Sequence, residues 1–352
     1  MTMDGAVIPA KAVVFATCAM VSVLTAAAAQ AAAPAYKAPR NGFGQPDLGG
    51  TWTNTTMTPM ERPAAFGTRS AMTPQEVASV EAARAKLLAN GAQPTAPGAT
   101  VQDVNKTCDL PGVPATTDCA YNVSWFDSGE RVMRVNGEPR ASLITFPADG
   151  RIPYKAGRAR PRVDRSLADN PEDRNLSERC LVSRNVTFGA LLSPALYNNT
   201  YLIQQSGDTV AVVFEMSHDL RYIRLNAQHG TAPRWFGDSV GRWDGDTLVV
   251  DTINFHPEQL AGNSPELHVV ERFTRVGKDR LLYQFRIEDP VAYAAPWGGE
   301  YEFYPSGPLY EFACHEGNHG LSGILAGARS DEKVGKGPSL AAAGPPGSED
   351  AE

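Results

Sequence analysis

Cysteine is scarce in this chain, five residues in 352, and no two of them stand at the C-x-x-C spacing of a dithiol redox centre or a zinc ribbon. A Gly-x-Ser-x-Gly nucleophile elbow is missing, as are a phosphate-binding glycine loop and a dinucleotide fingerprint. Asp244-Gly245-Asp246 is too short for a calcium loop and reads as a turn. These absences set aside serine-elbow, nucleotide-dependent and EF-hand chemistry. Basic residues form no long run: 32 Lys and Arg face 39 Asp and Glu, a net charge of −7. The short cluster of Lys155, Arg158, Arg160, Arg162 and Arg165 reads as a solvated loop, so no nucleic-acid partner is expected.

What is present begins with a targeting signal. Lys11 precedes an uncharged run from Ala12 to Ala29 that holds Val13, Val14, Phe15, Met20, Val21, Val23 and Leu24, and small residues follow. That is the pattern of a secretory signal peptide, residues 1–29, cleaved after Ala29 or Ala31 and not before Pro34. An uncleaved anchor helix is the alternative, but alanine dominates the run and no basic stop-transfer cluster follows it. No later segment is long and apolar enough to span a bilayer. A periplasmic or secreted protein without stable membrane insertion after cleavage is expected.

Export changes what the cysteines mean. Cys18 leaves with the signal, and Cys108, Cys119, Cys180 and Cys314 stay behind in an oxidising compartment, an even number that implies two disulfides. Three connectivities are open. The favoured one joins Cys108 to Cys119 across a short Pro/Gly-containing loop, and Cys180 to Cys314 from the start of the barrel to its end.

Residues 34–141 read as an N-terminal extension of strand, helix and loop. Gly49-Gly50-Thr51-Trp52 opens a strand. Thr73-Pro74-Gln75-Glu76 is a helix start, with Thr73 as cap, Pro74 at the first helical position and Glu76 reaching back; the helix runs through Leu88 to Asn90-Gly91. Ala92 to Thr117 is rich in Pro, Thr and Gly and reads as irregular loop. Strands then recur at Ser142–Phe146, Tyr201–Gln205, Thr209–Glu215, Arg221–Leu225, Val240–Trp243 and Leu248–Thr252. They continue at Glu266–Val276, Arg280–Ile287, Tyr301–Tyr304 and Leu309–Phe312, the last two expected to pair across Ser306-Gly307. A short helix, Leu321–Arg329, closes residues 142–330, and 331–352 reads as a disordered tail. Strands so spaced, without intervening helices, imply an antiparallel meander that protects its edges by closing into a barrel; a sandwich is the alternative. The opening Gly-Gly-Thr-Trp strand resembles the calycin (lipocalin-like) group, in which a tryptophan plugs one end of a ligand-holding barrel.

Several longer motifs point the same way. Ser142-Leu143-Ile144, Asp149-Gly150-Arg151-Ile152-Pro153, Tyr197-Asn198-Asn199, Glu215-Met216-Ser217-His218-Asp219, the run Gly241 to Val250 and Cys314-His315-Glu316-Gly317-Asn318 resemble signatures of a family of secreted bacterial β-proteins. The resemblance covers most of Asp47 to Arg329. It implies export and one continuous domain, and it implies no reaction.

Chemistry is sought where titratable groups converge. Glu215 ends the apolar run Val210–Phe214, and His218, Asp219 and Arg221 follow within six residues. A carboxyl desolvated at the end of a buried strand suits proton transfer, and Arg221 would stabilise developing negative charge. The structural alternative is an internal ion pair of Glu215 with Arg221 or Arg224. His315 and Glu316 are expected in the lumen, opposite Glu215 and His218. The letters His315-Glu316-x-x-His319 match a zinc-protease pattern, but Gly317-Asn318 make a poor helix interior and a third ligand, such as Glu332, has to come from elsewhere; no metal or cofactor is expected. The resemblance places an aromatic residue where His319 stands. Tyr197, Asn198, Trp235 and Trp243 are candidates to bind substrate, with turn formation and packing as their ordinary roles. His229, His256 and His268 read as isolated. The expected function is a cofactor-independent enzyme that uses these acid/base groups in a barrel lumen to eliminate, isomerise, cyclise or hydrolyse a small, largely apolar molecule. A non-catalytic small-ligand carrier and a zinc hydrolase are the alternatives.

Overall fold

The computed structural model describes residues 36–92, 97–98, 127, 129–158, 168–182, 186–187, 190–195, 197–260 and 262–335. The signal peptide, Cys108, Cys119 and residues 336–352 lie outside these described residues. Short strands come first: β1 (Gly50–Thr53), β2 (Arg134–Val135), β3 (Glu138–Pro139), β4 (Ile144–Phe146), β5 (Val186–Thr187) and β6 (Leu191–Leu192). The longer ones follow: β7 (Thr200–Gln205), β8 (Thr209–Phe214), β9 (Leu220–Leu225), β10 (Asp238–Asp244), β11 (Thr247–Ile253), β12 (His268–Gly277), β13 (Arg280–Glu288) and β14 (Trp297–Pro305). Two α-helices, α1 (Pro74–Gly91) and α2 (His319–Lys333), flank them.

Nine strands close a barrel in the order β1-β7-β8-β9-β10-β11-β12-β13-β14, with β14 returning to β1 through Thr53↔Tyr304 and Trp52↔Pro305. The mainly-β barrel expected from strand spacing is the fold. Its physical basis is alternation: along β8, Val210, Val212 and Phe214 are buried while Thr209, Ala211 and Val213 are half-exposed. The same period runs through β13, where Leu281, Tyr283, Phe285 and Ile287 point inward.

Three features differ from the expected meander. β9 and β10 pair parallel, through Ser239↔Ile223 to Gly241↔Leu225, so residues 226–237 form a crossover instead of a hairpin. The barrel also draws in β1 from outside residues 142–330, because the inward Trp52 and the backbone of Gly50 to Thr53 complete the gap between β7 and β14. Leu309–Phe312 forms no strand: β14 is already paired to β13, to β1 and to β4, which leaves no edge for it.

The two ends are filled differently. At one, Trp52 donates to Leu48 O (3.0 Å), and Arg275 lies 5.6 Å over its ring while donating to Asp47 O. The apolar space above them, between Leu48, Ile203, Val212, Ile223 and Phe273, has no room for a water molecule. At the other end, the buried segment Ala190–Leu192 crosses the interior, held by Asn54 (2.9 Å to Leu192 O) and by the Tyr301 hydroxyl on the same carbonyl. α1 starts on the expected capping box, Thr73 and Glu76 bonding each other's backbone N–H. α2 is capped by Asn318 and buries no residue. No helix of the described residues is long and apolar enough to cross a membrane. Cys180 and Cys314 are disulfide-bonded, as expected; the Cys108–Cys119 pairing falls outside the described residues.

Candidate functional site

Glu215 leaves β8 at the barrel end where β7 and β9 begin, and the residue is 5% exposed. Its backbone N–H donates to Thr200 O (3.0 Å), which fixes it against β7. Asn198, just before β7, has φ of +54°, a left-handed conformation that asparagine tolerates. From there its side-chain amide donates to Glu215 Oε1 at 2.7 Å. Ser217 (φ +61°) and His218 (φ +50°) are also left-handed, two consecutive strained residues of the kind that gathers at functional sites.

Asn199 is fully buried. Its side chain donates to Asp127 O (2.8 Å) and Ala195 O (2.7 Å) and accepts from Ala195 N (2.8 Å). It therefore ties Asp127 to the same loop that carries Asn198. Two residues on, Gly129 packs directly against residues 55–56: at φ +80°, a Cβ here would lie 2.6 Å from Thr56 N. Asp127 is exposed as a whole residue. Desolvation and the neighbouring charge of Glu215 push its carboxyl up to about 6, against hydrogen bonds from Asn199.

Of the residues singled out from the sequence, Glu215 and Asn198 meet, with Tyr197 half-buried beside them. Phe214 N donates to Asp219 O and closes the turn, leaving Asp219 half-exposed. His218, His315 and Glu316 are all exposed. Among the described residues no hydrogen bond or ion pair joins His315 or Glu316 to Glu215 or His218. They are not lumen groups, because the barrel wall is complete without the chain after Pro305.

Arg221 does not pair with Glu215. It points inward from β9, and all five of its N–H donors are used: Nε on Ser239, Nη1 on Ala190 O and Glu271 Oε1, and Nη2 on Thr252 and Glu271 Oε2. Tyr283 donates to Glu271 Oε1 as well (2.8 Å). A saturated guanidinium has nothing left for a substrate, so its role is to lock the lumen. Arg224 pairs instead with Asp238.

Trp235 packs on the core and lies 5.1 Å from His256, centroid to centroid. Trp243 packs on the core at the opposite end of β10 from Glu215. His315 precedes α2 and His319 opens it, so the two do not share a helical face. Among the described residues no group of three or more His, Cys, Asp and Glu is arranged to hold a metal.

Neither a protein-family model nor a curated protein matches this chain. Its chemistry is therefore read from its own residues. Asp127 was missed because it sits in the irregular stretch after α1, where no periodicity marks a desolvated carboxyl; its partners become visible only when the Asn198-Asn199 turn folds against it.

Proposed function

We propose that this is an exported acid/base enzyme whose reacting groups are the carboxyls of Asp127 and Glu215, bridged by Asn198 and Asn199 at the rim of the barrel. The observation that carries the reading is the Asn198–Glu215 bond beside Asp127. It gives two carboxyls in unlike surroundings, Glu215 held by the Asn198 amide and Asp127 raised to about 6 by burial and by the charge of Glu215. Asp127, raised toward neutrality, would act as the proton donor and Glu215 as the acceptor or electrostatic partner. Elimination, isomerisation, cyclisation and hydrolysis all fit such a pair. The buried Phe214 and Met216 on either side of Glu215 favour a small, largely apolar substrate. Export to the periplasm or beyond rests on the N-terminal signal pattern and agrees with the Cys180–Cys314 disulfide.

A panel of small esters, epoxides and allylic alcohols tests this with the mature protein, Asp127→Asn and Glu215→Gln. Wild-type turnover, with at least a ~100-fold loss in either variant and ligand-induced thermal shifts retained, supports the reading. Undiminished turnover in both variants overturns it. A second reading, a non-catalytic small-ligand carrier, is favoured by a groove of about 630 Å³ between residues 41–50 and the outer wall of β7 and β8, lined by Asn41, Asp47, Leu202 and Gln204. Binding without turnover, lost on filling that groove by Ala211→Trp, would support the carrier.

A further inference from the structure

The parallel pairing of β9 with β10 obliges residues 226–237 to travel the length of the barrel wall, from the end of β9 to the start of β10. Near its end Phe236 turns inward and stacks on Phe214, 5.8 Å between centroids and 20° between planes. Phe214 immediately precedes Glu215. The crossover thus carries a buried ring that covers the barrel end.

The crossover is held by side chains as much as by backbone. Asp238, at the start of β10 and 1% exposed, accepts from Gly230 N (2.7 Å) and from Arg224 of β9, and Arg234 lies 3.1 Å away. His229 sits between two carboxylates. Its Nδ1 is 3.3 Å from Asp238 Oδ2 and its Nε2 is 3.0 Å from Asp251 Oδ1 of β11. The other oxygen of Asp251 is 3.0 Å from His268 Nε2 of β12. Asp238, His229, Asp251 and His268 therefore form one chain of contacts from the crossover across three strands. Glu288 and Arg286 of β13 are the charged groups facing His268 from its other side.

A neutral imidazole carries one N–H and can donate to only one of its two flanking carboxylates; an imidazolium donates to both. We propose that the 226–237 crossover is a pH-responsive plug, locked through the Asp238–His229–Asp251–His268 chain when the imidazoles are protonated and loosened when they are not. Loosening frees Phe236 from Phe214 and uncovers the barrel end. At the β12 end of this chain the electrostatics have one direction. The bond to Asp251 raises His268 above the usual imidazole range, burial opposing, and His268 in turn holds Asp251 low. Stabilisation of this sign is complete below pH ~6.5 and is lost as pH rises through the raised value of His268.

Hydrogen exchange of the mature protein, followed by mass spectrometry at pH 6 and pH 8.5 and corrected for intrinsic rates, tests the plug directly. Peptides covering 227–237 should lose protection by roughly 10-fold at the higher pH, while β12–β13 peptides stay protected and show that the barrel is intact. In Asp251→Asn and in His229→Gln, protection of 227–237 should be low at both pH values. Equal protection at both pH values in the wild type, or an unchanged pH response in both variants, overturns the proposal. Because exchange reads the crossover and not turnover, the result is independent of whether Asp127 and Glu215 are catalytic.

Discussion

Arg221 and Glu271 meet inside the barrel, fifty residues apart in sequence and shielded from water to 1% and 0% exposure. The pair is bidentate and every donor of the guanidinium is satisfied, which is the arrangement a buried charge needs to be tolerated. Removing one partner strands the other. Arg221→Met should cost about 3–5 kcal/mol in urea unfolding, whereas Arg221→Met with Glu271→Leu should recover most of that loss. Near-equal stability of the single variant and the wild type would show the pair carries nothing.

The raised Asp127 carboxyl sets a sign for pH and stability. Its folded value, about 6, lies above the usual aspartate value, so the folded state binds its proton more tightly than the unfolded chain does. The ionised form therefore costs stability, a cost absent below about pH 4, growing between 4 and 6 and complete above. Asp127→Asn should stabilise the protein at pH 7.5, by about 1 kcal/mol once solvent screening is allowed for, and leave it unchanged at pH 4. A variant that melts lower at pH 7.5 would contradict this.

α2 buries no residue, and the chain leading to it is tied to the barrel side by Cys180–Cys314 and by Asn318 on Glu178 O (2.8 Å). The bridge closes a sequence separation of 134, worth up to about 5 kcal/mol in the chain-entropy treatment. Cys180→Ser with Cys314→Ser should lower stability by about 2–5 kcal/mol and make the 306–333 segment the first site of proteolysis. Unaltered stability and cleavage would refute a structural role for the bridge.

Gly299 lets β4 close on β14. A Cβ at this position would fall 2.0 Å from Leu143 O, against backbone that has nowhere to move. Gly299→Ala should destabilise by about 3 kcal/mol, read as a lower thermal midpoint.

Much of the fold was legible because it is local or periodic. The Asp244-Gly245-Asp246 turn, the alternation of β8 and the Thr73–Glu76 capping box each declare themselves within ten residues. Export and the even number of cysteines implied disulfides with three connectivities open, and the structure forms the favoured Cys180–Cys314 bond. What stayed hidden depends on partners distant in sequence. Nothing near Arg221 announces Glu271, and an inward arginine reads like any exposed one in an alternating strand. His229 and His268 look isolated along the chain; the parallel crossover brings the one, and the antiparallel β11–β12 pairing the other, to opposite oxygens of Asp251. Glu215 was found by its position at a strand end, Asp127 was not, and Asn198 was read as a substrate contact or a turn former, not as the amide that holds Glu215.

The carboxyl pair at the rim is the centre of the account, and carbon-detected NMR titration of the Asp127 side chain measures it most directly. In the wild type Asp127 should titrate near 6, and in Glu215→Gln its midpoint should fall part of the way toward the ordinary aspartate value, because burial, the larger cause, remains while the neighbouring charge is gone. An identical raised midpoint in both proteins would show that the two carboxyls do not sense each other, and titration near 4 in the wild type would show that Asp127 is not raised at all.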